Sequence, residues 1–191
     1  MRFVGAANTS RAEGVDLLPG VSNYFSGTDP TRWRTNVPHY AKVRFRSVYP
    51  GIDVVYYSTG TTLEYDFVLR PGADPNRIQL AYDGARKFSV DNGGNVHLQL
   101  GGREIVQRRP RIYQEIGGNR VEVAGSYRVK ANGTVQFAVA KYDRSRRLVI
   151  DPVLDYSVYL GGAAYDTAIS LTLDSAGNKY VTGSTASSTL I

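Results

Sequence analysis

The clearest pattern in the chain is Thr61 to Leu69 (TTLEYDFVL), where Leu63, Tyr65, Phe67 and Leu69 fall on one side of an alternation and Glu64, Asp66 and Arg70 on the other. A period of two is that of a strand with one face buried. Ile52 to Tyr57 (IDVVYY) precedes it across Ser58-Thr59-Gly60, so the two segments predict a hairpin. Ala41 to Phe45 predicts a strand before Tyr49-Pro50-Gly51, which reads as a turn. Downstream, further strands are expected at 77–82, 88–90, 96–100, 104–106, 111–116, 120–129, 134–140 and 148–150. Gly-, Asn- and Asp-rich turns separate them, among them Asp83-Gly84, Asp91 to Asn95, Gly117-Gly118-Asn119 and Asn132-Gly133, and Pro110 marks an edge or a break. About ten strands at roughly 8–12-residue spacing predict a β-sandwich or barrel-like domain. Residues 1–40 read as loop-like, with a short strand at 3–6, turns at Leu17 to Gly20 and Gly27 to Pro30, and Trp33 capping an edge of the core. No window repeats apolar residues at helical spacing, so little helix is expected.

A different unit follows Asp151-Pro152. Tyr156-Ser157-Val158-Tyr159-Leu160-Gly161-Gly162 reads as a short strand and its close. Ala168 to Asp174 alternates, Asp174 to Asn178 turns, and Lys179 to Thr182 returns. This stretch resembles the bacterial SBBP repeat, a β-propeller repeat, through Tyr156, Ser157, Tyr159, Leu160, Gly161, Gly162, Asp174, Gly177, Asn178, Tyr180, Val181, Thr182 and Gly183. Ala163-Ala164-Tyr165-Asp166 departs from the acidic loop usual in the repeat, which weakens any metal role there. A blade buries its faces only against neighbouring blades, so one incomplete copy implies a fragment of a longer protein with further repeats. A second resemblance spans most of residues 3–153. NYFSGTDPTRWRTNVPHYAKVRFRSVYPGIDVVYY, LEYDFVLRPGADP and YDRSRRLVIDPVLDYSVYLGG are similar to the domain that precedes such repeats in large bacterial surface proteins. The resemblance implies architecture and a secreted or cell-surface location; it carries no activity.

The fold class expected is therefore all-β: a β-sandwich-like domain over 1–152, then the start of a propeller blade over 153–191. Composition agrees, with 20 Gly and 14 Tyr in 191 residues. The chain has no Cys, which excludes disulfides, thiolate metal sites and cysteine nucleophiles within it. No stretch approaches the roughly 18 apolar residues of a transmembrane helix. No signal peptide is visible, and Met1 is open to being an internal methionine. The net charge is +6. Residues 152–191 hold Lys179 against Asp155, Asp166 and Asp174, so the positive excess belongs to the first domain.

Several groups are candidates for chemistry. Glu64 and Asp66 share a strand face with backbones about 6.6 Å apart, near the separation of paired glycosidase carboxylates. Trp33, Tyr56 and Tyr57 are the aromatics that would line such a groove, and a solvated face with Arg70 as partner is the plainer reading. Arg103, Arg108, Arg109 and Arg111 are candidates for anion binding, against a reading as solvated, charge-blunted edges. Asp91 to Asn95 has the opening of a calcium loop, but the twelfth position is Gly102 rather than an acid, so a hairpin turn is the better reading. His39 and His97 lack metal-ligand spacing, and no nucleotide-binding or nucleophile motif occurs. No catalytic residue, metal or cofactor is assigned. The function expected is a non-enzymatic extracellular or cell-surface scaffold or binding module. Its partners are further propeller repeats and a glycan or surface protein, with no nucleic acid. The alternatives are a carbohydrate-active hydrolase or lyase using Glu64 and Asp66, and an anion-binding module using the arginines.

Overall fold

In the computed structural model the residues described are 1–8, 11–59, 62–100, 103–152, 166–173 and 179–188. Among them the strands are β1 (Arg2–Phe3), β2 (Ala12–Tyr24), β3 (Arg34–Tyr49), β4 (Ile52–Thr59), β5 (Thr62–Leu69), β6 (Leu80–Ala81), β7 (Ala85–Val90) and β8 (Val96–Leu100). They continue as β9 (Arg103–Gln107), β10 (Arg111–Ile116), β11 (Asn119–Glu122), β12 (Gly125–Val129), β13 (Val135–Val139), β14 (Leu148–Asp151), β15 (Asp166–Leu173) and β16 (Lys179–Thr185). Among the described residues the helical content is two 3₁₀ turns, at Pro30–Arg32 and Pro75–Arg77, and the protein is all-β. The chain divides into two compact units, Met1–Asp155 and Tyr156–Ile191.

The first unit is built on a seven-stranded antiparallel sheet, order β11-β10-β14-β5-β4-β3-β2. Two smaller sheets, β1-β6-β13-β12 and β7-β8-β9, supply the other wall of the core. The predicted β4–β5 hairpin lies at the centre, paired from Ile52 with Leu69 to Thr59 with Thr62. Its alternation aims Ile52, Val54, Tyr65, Phe67 and Leu69 inward, each at most 1% exposed. Leu148, Ile150 and Ile112 extend that face, and Leu80, Val96, Leu98, Tyr127, Val135 and Phe137 meet it from the facing sheets. Phe67 is the hub, with ring centroids 5.2 Å from Phe3, 5.6 Å from Tyr65 and 5.7 Å from Phe137 across the layers. Gly125 lets β12 close onto this core. A Cβ there would stand 2.3 Å from the Ile112 Cδ1 and 3.1 Å from the Ala138 carbonyl oxygen, too near for any side chain without movement.

Four sequence expectations are corrected here. Residues 12–24 and 34–40 are not loop but the two arms of a long ribbon, because β3 runs on past the last residue it pairs with β4, Lys42. Leu17 to Gly20 lies inside β2 as an irregularity, with Asp16 at φ 60° and Gly20 at φ 95° and the register slipping between Leu17 and Val21. Trp33 does not cap the core. It packs edge-on against Phe25, ring centroids 5.1 Å apart, and its indole N–H donates to the Gly27 carbonyl at 3.1 Å, which shapes the ribbon tip. Residues 77–82 form only the two-residue β6 after a 3₁₀ turn, because Asp74 caps that turn through the backbone N–H of Asn76.

One bend in β3 depends on a buried carboxylate. The β3–β4 register slips between Phe45 and Tyr49, and Ser47 sits there at φ 52°. Asp53, 8% exposed, accepts from the Ser47 backbone N–H at 2.8 Å and from Arg70 Nη2 at 3.3 Å. Asp53→Ala leaves a strained backbone donor unpaired. An unmet buried partner costs about 1–3 kcal/mol, so the urea midpoint should fall accordingly; an unchanged midpoint means water replaces the carboxylate at no cost.

In the second unit β15 and β16 pair antiparallel, from Asp166 with Thr185 to Leu173 with Lys179, with one slip between Ala168 and Ser170. The strand and turn expected at 156–162 and 174–178 lie outside the described residues.

Candidate functional site

The face of the seven-stranded sheet opposite the core is concave and polar. Where β4 and β5 send Val54 and Phe67 inward, they send Val55, Tyr57, Glu64 and Asp66 outward, and register sets Tyr57 across from Glu64 and Val55 across from Asp66. On one side β14 brings Asp151, and Arg111, Tyr113 and Glu115 follow on β10 with Arg120 on β11. On the other side β3 brings Lys42, Arg44 and Arg46. The hollow over these strands measures about 770 Å³.

Its charges are unevenly satisfied. Lys42 pairs with Asp16 at 2.7 Å, Glu13 takes both Arg44 at 3.3 Å and Arg46 at 2.8 Å, and Arg70 pairs with Asp53. In the floor, the Tyr57 hydroxyl donates to Asp66 Oδ1 at 3.1 Å. Burial, and then the neighbouring Asp151 carboxylate, push Asp66 up to about 6. Asp151 is raised too, by burial and by Glu64, while Arg111 and Arg120 oppose the rise. Burial raises the Tyr57 and Tyr113 hydroxyls, with Asp66 next in both cases. The Arg120 guanidinium lies over the Tyr113 ring, 4.5 Å from its centroid. The face can therefore hold or release a proton near neutral pH and can hydrogen-bond a hydroxyl-rich ligand from carboxyl, phenol and guanidinium groups. Among the described residues no three acids, histidines or cysteines are placed to hold a metal ion.

Of the residues singled out in the sequence, Tyr57, Glu64 and Asp66 come together on this face. Tyr56 points the other way, its ring 5.8 Å from both Phe45 and Tyr65. Trp33 stays at the ribbon tip. Arg70 does not sit over Glu64 and Asp66; β5 ends at Leu69, the Arg70 N–H donates to the Gly51 carbonyl at 2.9 Å, and its side chain is drawn to Asp53. The arginine group divides. Arg111 lines the hollow, whereas the stem of Arg109 packs over Gly94 in the 91–95 turn, where its backbone N–H donates to Asn95 Oδ1 at 2.9 Å. Arg108 is exposed in the link from β9 to β10, and the side chain of Arg103 lies outside the described residues. Asp151, Tyr113 and Arg120 were not singled out as site residues. The alternation Leu148-Val149-Ile150-Asp151 puts Asp151 opposite the core-facing pair, but β14 comes beside β5 only through pairing between segments far apart in sequence, Ile150 with Phe67.

A second charged group lies on β7-β8-β9. His97 Nε2 is 3.1 Å from Asp91 Oδ2 and Nδ1 is 3.1 Å from Glu104 Oε1, so each ring nitrogen meets a carboxylate. The hydrogen bond to Asp91, then that to Glu104, raises the imidazole, and Asn95 and His97 hold Asp91 below the usual carboxylate range. A raised histidine stabilises the fold below its unfolded value of about 6.5 and loses that contribution as pH rises through its folded value. A proton NMR titration should place His97 above the ordinary imidazole value of about 6.5, and Asp91→Asn should bring it down; a midpoint unmoved by that substitution would contradict the bridge.

Two family models match the chain. One, described as a domain of unknown function (DUF7948), spans residues 1–153, and the other, a beta-propeller repeat (SBBP), spans residues 155–190. Comparison with curated proteins and comparison with solved structures each give no match. The first match covers most of the chain, which therefore belongs to the DUF7948 family and carries a beta-propeller repeat directly behind that domain.

Proposed function

We propose that the chain is a non-enzymatic binding and scaffolding part of a larger extracellular or cell-surface protein, and that the concave face of the seven-stranded sheet is where it takes a glycan or surface polymer. A propeller repeat stacks against further blades, which fits a scaffold role for the second unit. The observation that carries the reading is the hollow itself: hydroxyl, carboxyl and guanidinium groups from neighbouring strands converge on one face of a rigid sheet. Rigid placement of polar groups is what orients a ligand without chemistry.

A second reading draws on one observation, the Glu64–Asp66 pair lying side by side in the hollow with Asp66 titrating at about 6. A carboxyl near 6 suits a general acid, and a neighbouring carboxylate suits its base or nucleophile in glycoside cleavage. Incubating the full chain with a panel of soluble polysaccharides and assaying both retention in affinity gels and release of reducing ends separates the two. Retention without cleavage supports the binding module. Reducing ends that vanish in Asp66→Asn establish the hydrolase instead, and neither retention nor release removes the concave face as a ligand site.

A further inference from the structure

The cations on one half of the concave face are held in ion pairs, whereas three arginines on the other half have no carboxylate within ion-pair distance among the described residues. On the β2–β3 side, Lys42, Arg44 and Arg46 are each within ion-pair distance of Asp16 or Glu13. On the β14-β10-β11 side, the exposed residues Arg111, Arg120 and Arg147 line the hollow, and none of the three makes an ion pair with a carboxylate among the described residues. Arg120 is held over Tyr113 and so presents its guanidinium in a fixed plane. We propose that these three arginines recognise the carboxylates of an acidic polysaccharide, a uronic-acid chain lying along the hollow, with its hydroxyl groups on the floor formed by Tyr57, Asp66 and Asp151.

The choice of a polyuronate follows from what the surface offers. Seven strands at about 4.8 Å spacing make a track of roughly 29 Å, the length of several sugar rings rather than of a lone ion. Guanidinium groups pair with carboxylates in two-pronged, charge-assisted hydrogen bonds. A single-stranded nucleic acid would need free aromatic platforms. Tyr113 is buried beneath Arg120 and Tyr57 is half-buried, so neither offers a free ring face. An extended peptide would need apolar anchor pockets, and the apolar lining here is Val15, Val55 and Val68.

The floor adds a dependence on pH. Asp66 faces Tyr57 on β4, Asp151 on β14, Arg120 on β11 and its own neighbour Glu64 on β5. When pH falls through about 6, Asp66 takes a proton, the floor loses a negative charge and gains a donor, and the uronate carboxylates stay ionised. Binding should therefore tighten between pH 7.5 and 5.5.

This inference rests on the concave face being the ligand surface, and calorimetry on the full chain tests both levels. The probes are polygalacturonate, its fully methyl-esterified form and neutral dextran, each at low and high salt. Polygalacturonate should bind, more weakly at high salt. Esterified chains and dextran should bind at least about tenfold less tightly, and Arg111→Ala with Arg147→Ala should cost about tenfold each, as loss of a charge-assisted pair does. Asp66→Asn should abolish the pH effect. The arginines are exposed, so the variants should fold, and circular dichroism checks this. Equal binding of the esterified chain overturns the acidic-polymer proposal while leaving a ligand face in place. Polygalacturonate binding unchanged in the arginine variants overturns the location. No binding to any of the three probes, with the chain folded, overturns the proposal, and the ligand-face reading falls with it if the wider polysaccharide panel is also not retained.

Discussion

Phe67→Ala should destabilise the DUF7948 domain by about 3–5 kcal/mol, the largest effect expected of any single substitution described above. Phe67 is fully buried and its ring meets Phe3, Tyr65 and Phe137, so truncation opens a cavity whose walls belong to three different strands on two sheets. Those walls cannot all move inward at once, because β5 is fixed between β4 and β14 by its backbone pairing. A loss of this size is a large share of the roughly 5–15 kcal/mol that holds a typical domain together. Urea unfolding followed by tyrosine fluorescence should show a lower midpoint with little change in slope. A loss under about 1 kcal/mol would mean the layers repack, and that Phe67 is not the hub. Leu63→Ala is the contrast: it lies on the same strand and alternation but is 65% exposed, so its removal should cost a small fraction of that.

Asp66→Asn should stabilise the domain at pH 7 and flatten its dependence on pH between about 4 and 6. The folded carboxyl is raised to about 6, so the native state holds its proton more tightly than the unfolded chain does. Stability from this group is thus fully present below the unfolded value of about 3.9 and is lost as pH rises through the folded value. A displacement of that size in a dry site carries about 3 kcal/mol, and solvent reaching the half-buried group reduces it to about 1–2. The amide keeps an oxygen to accept from the Tyr57 hydroxyl and carries no charge to desolvate. Thermal melts of the two proteins at pH 4, 5, 6 and 7 measure the effect. Curves that run parallel across that range would show that Asp66 holds its proton equally in the folded and unfolded chain, and that neither burial nor Asp151 raises it.

The hairpin at the centre of the sheet was legible because its two strands are buried on one side along most of their length, so alternation in TTLEYDFVL is a direct print of the core. The ribbon formed by β2 and β3 was not. Its outer part has no layer beneath it, and Leu17, Leu18, Val21, Tyr24 and Tyr40 are all exposed, so nothing imposes an alternation there. Pro19-Gly20 then reads as a turn although it is an irregularity within β2, which continues beyond it to Tyr24. The candidate face was half legible. Glu64 and Asp66 follow from strand parity, but Asp151 and Arg120 reach them only through pairings between segments distant in sequence, which periodicity does not encode. Tyr56 and Tyr57 show the limit in miniature: adjacent aromatics on one strand must take opposite faces, and only one of them can belong to the site.

The slips along β2 bear on how the molecule behaves in a crowd. A long outer strand with apolar side chains is a template on which a second copy can lay its own strand, and repeated addition grows a fibre. Here Asp16 and Gly20 turn the backbone out of the extended region, and Pro19 offers no hydrogen at all, so the row of donors and acceptors is broken near its middle. At the far side the sheet stops at the four residues of β11. The same irregularity that hid this strand from the sequence pattern interrupts one border of the seven-stranded sheet, and a short strand forms the other, two devices that disfavour edge-to-edge recruitment.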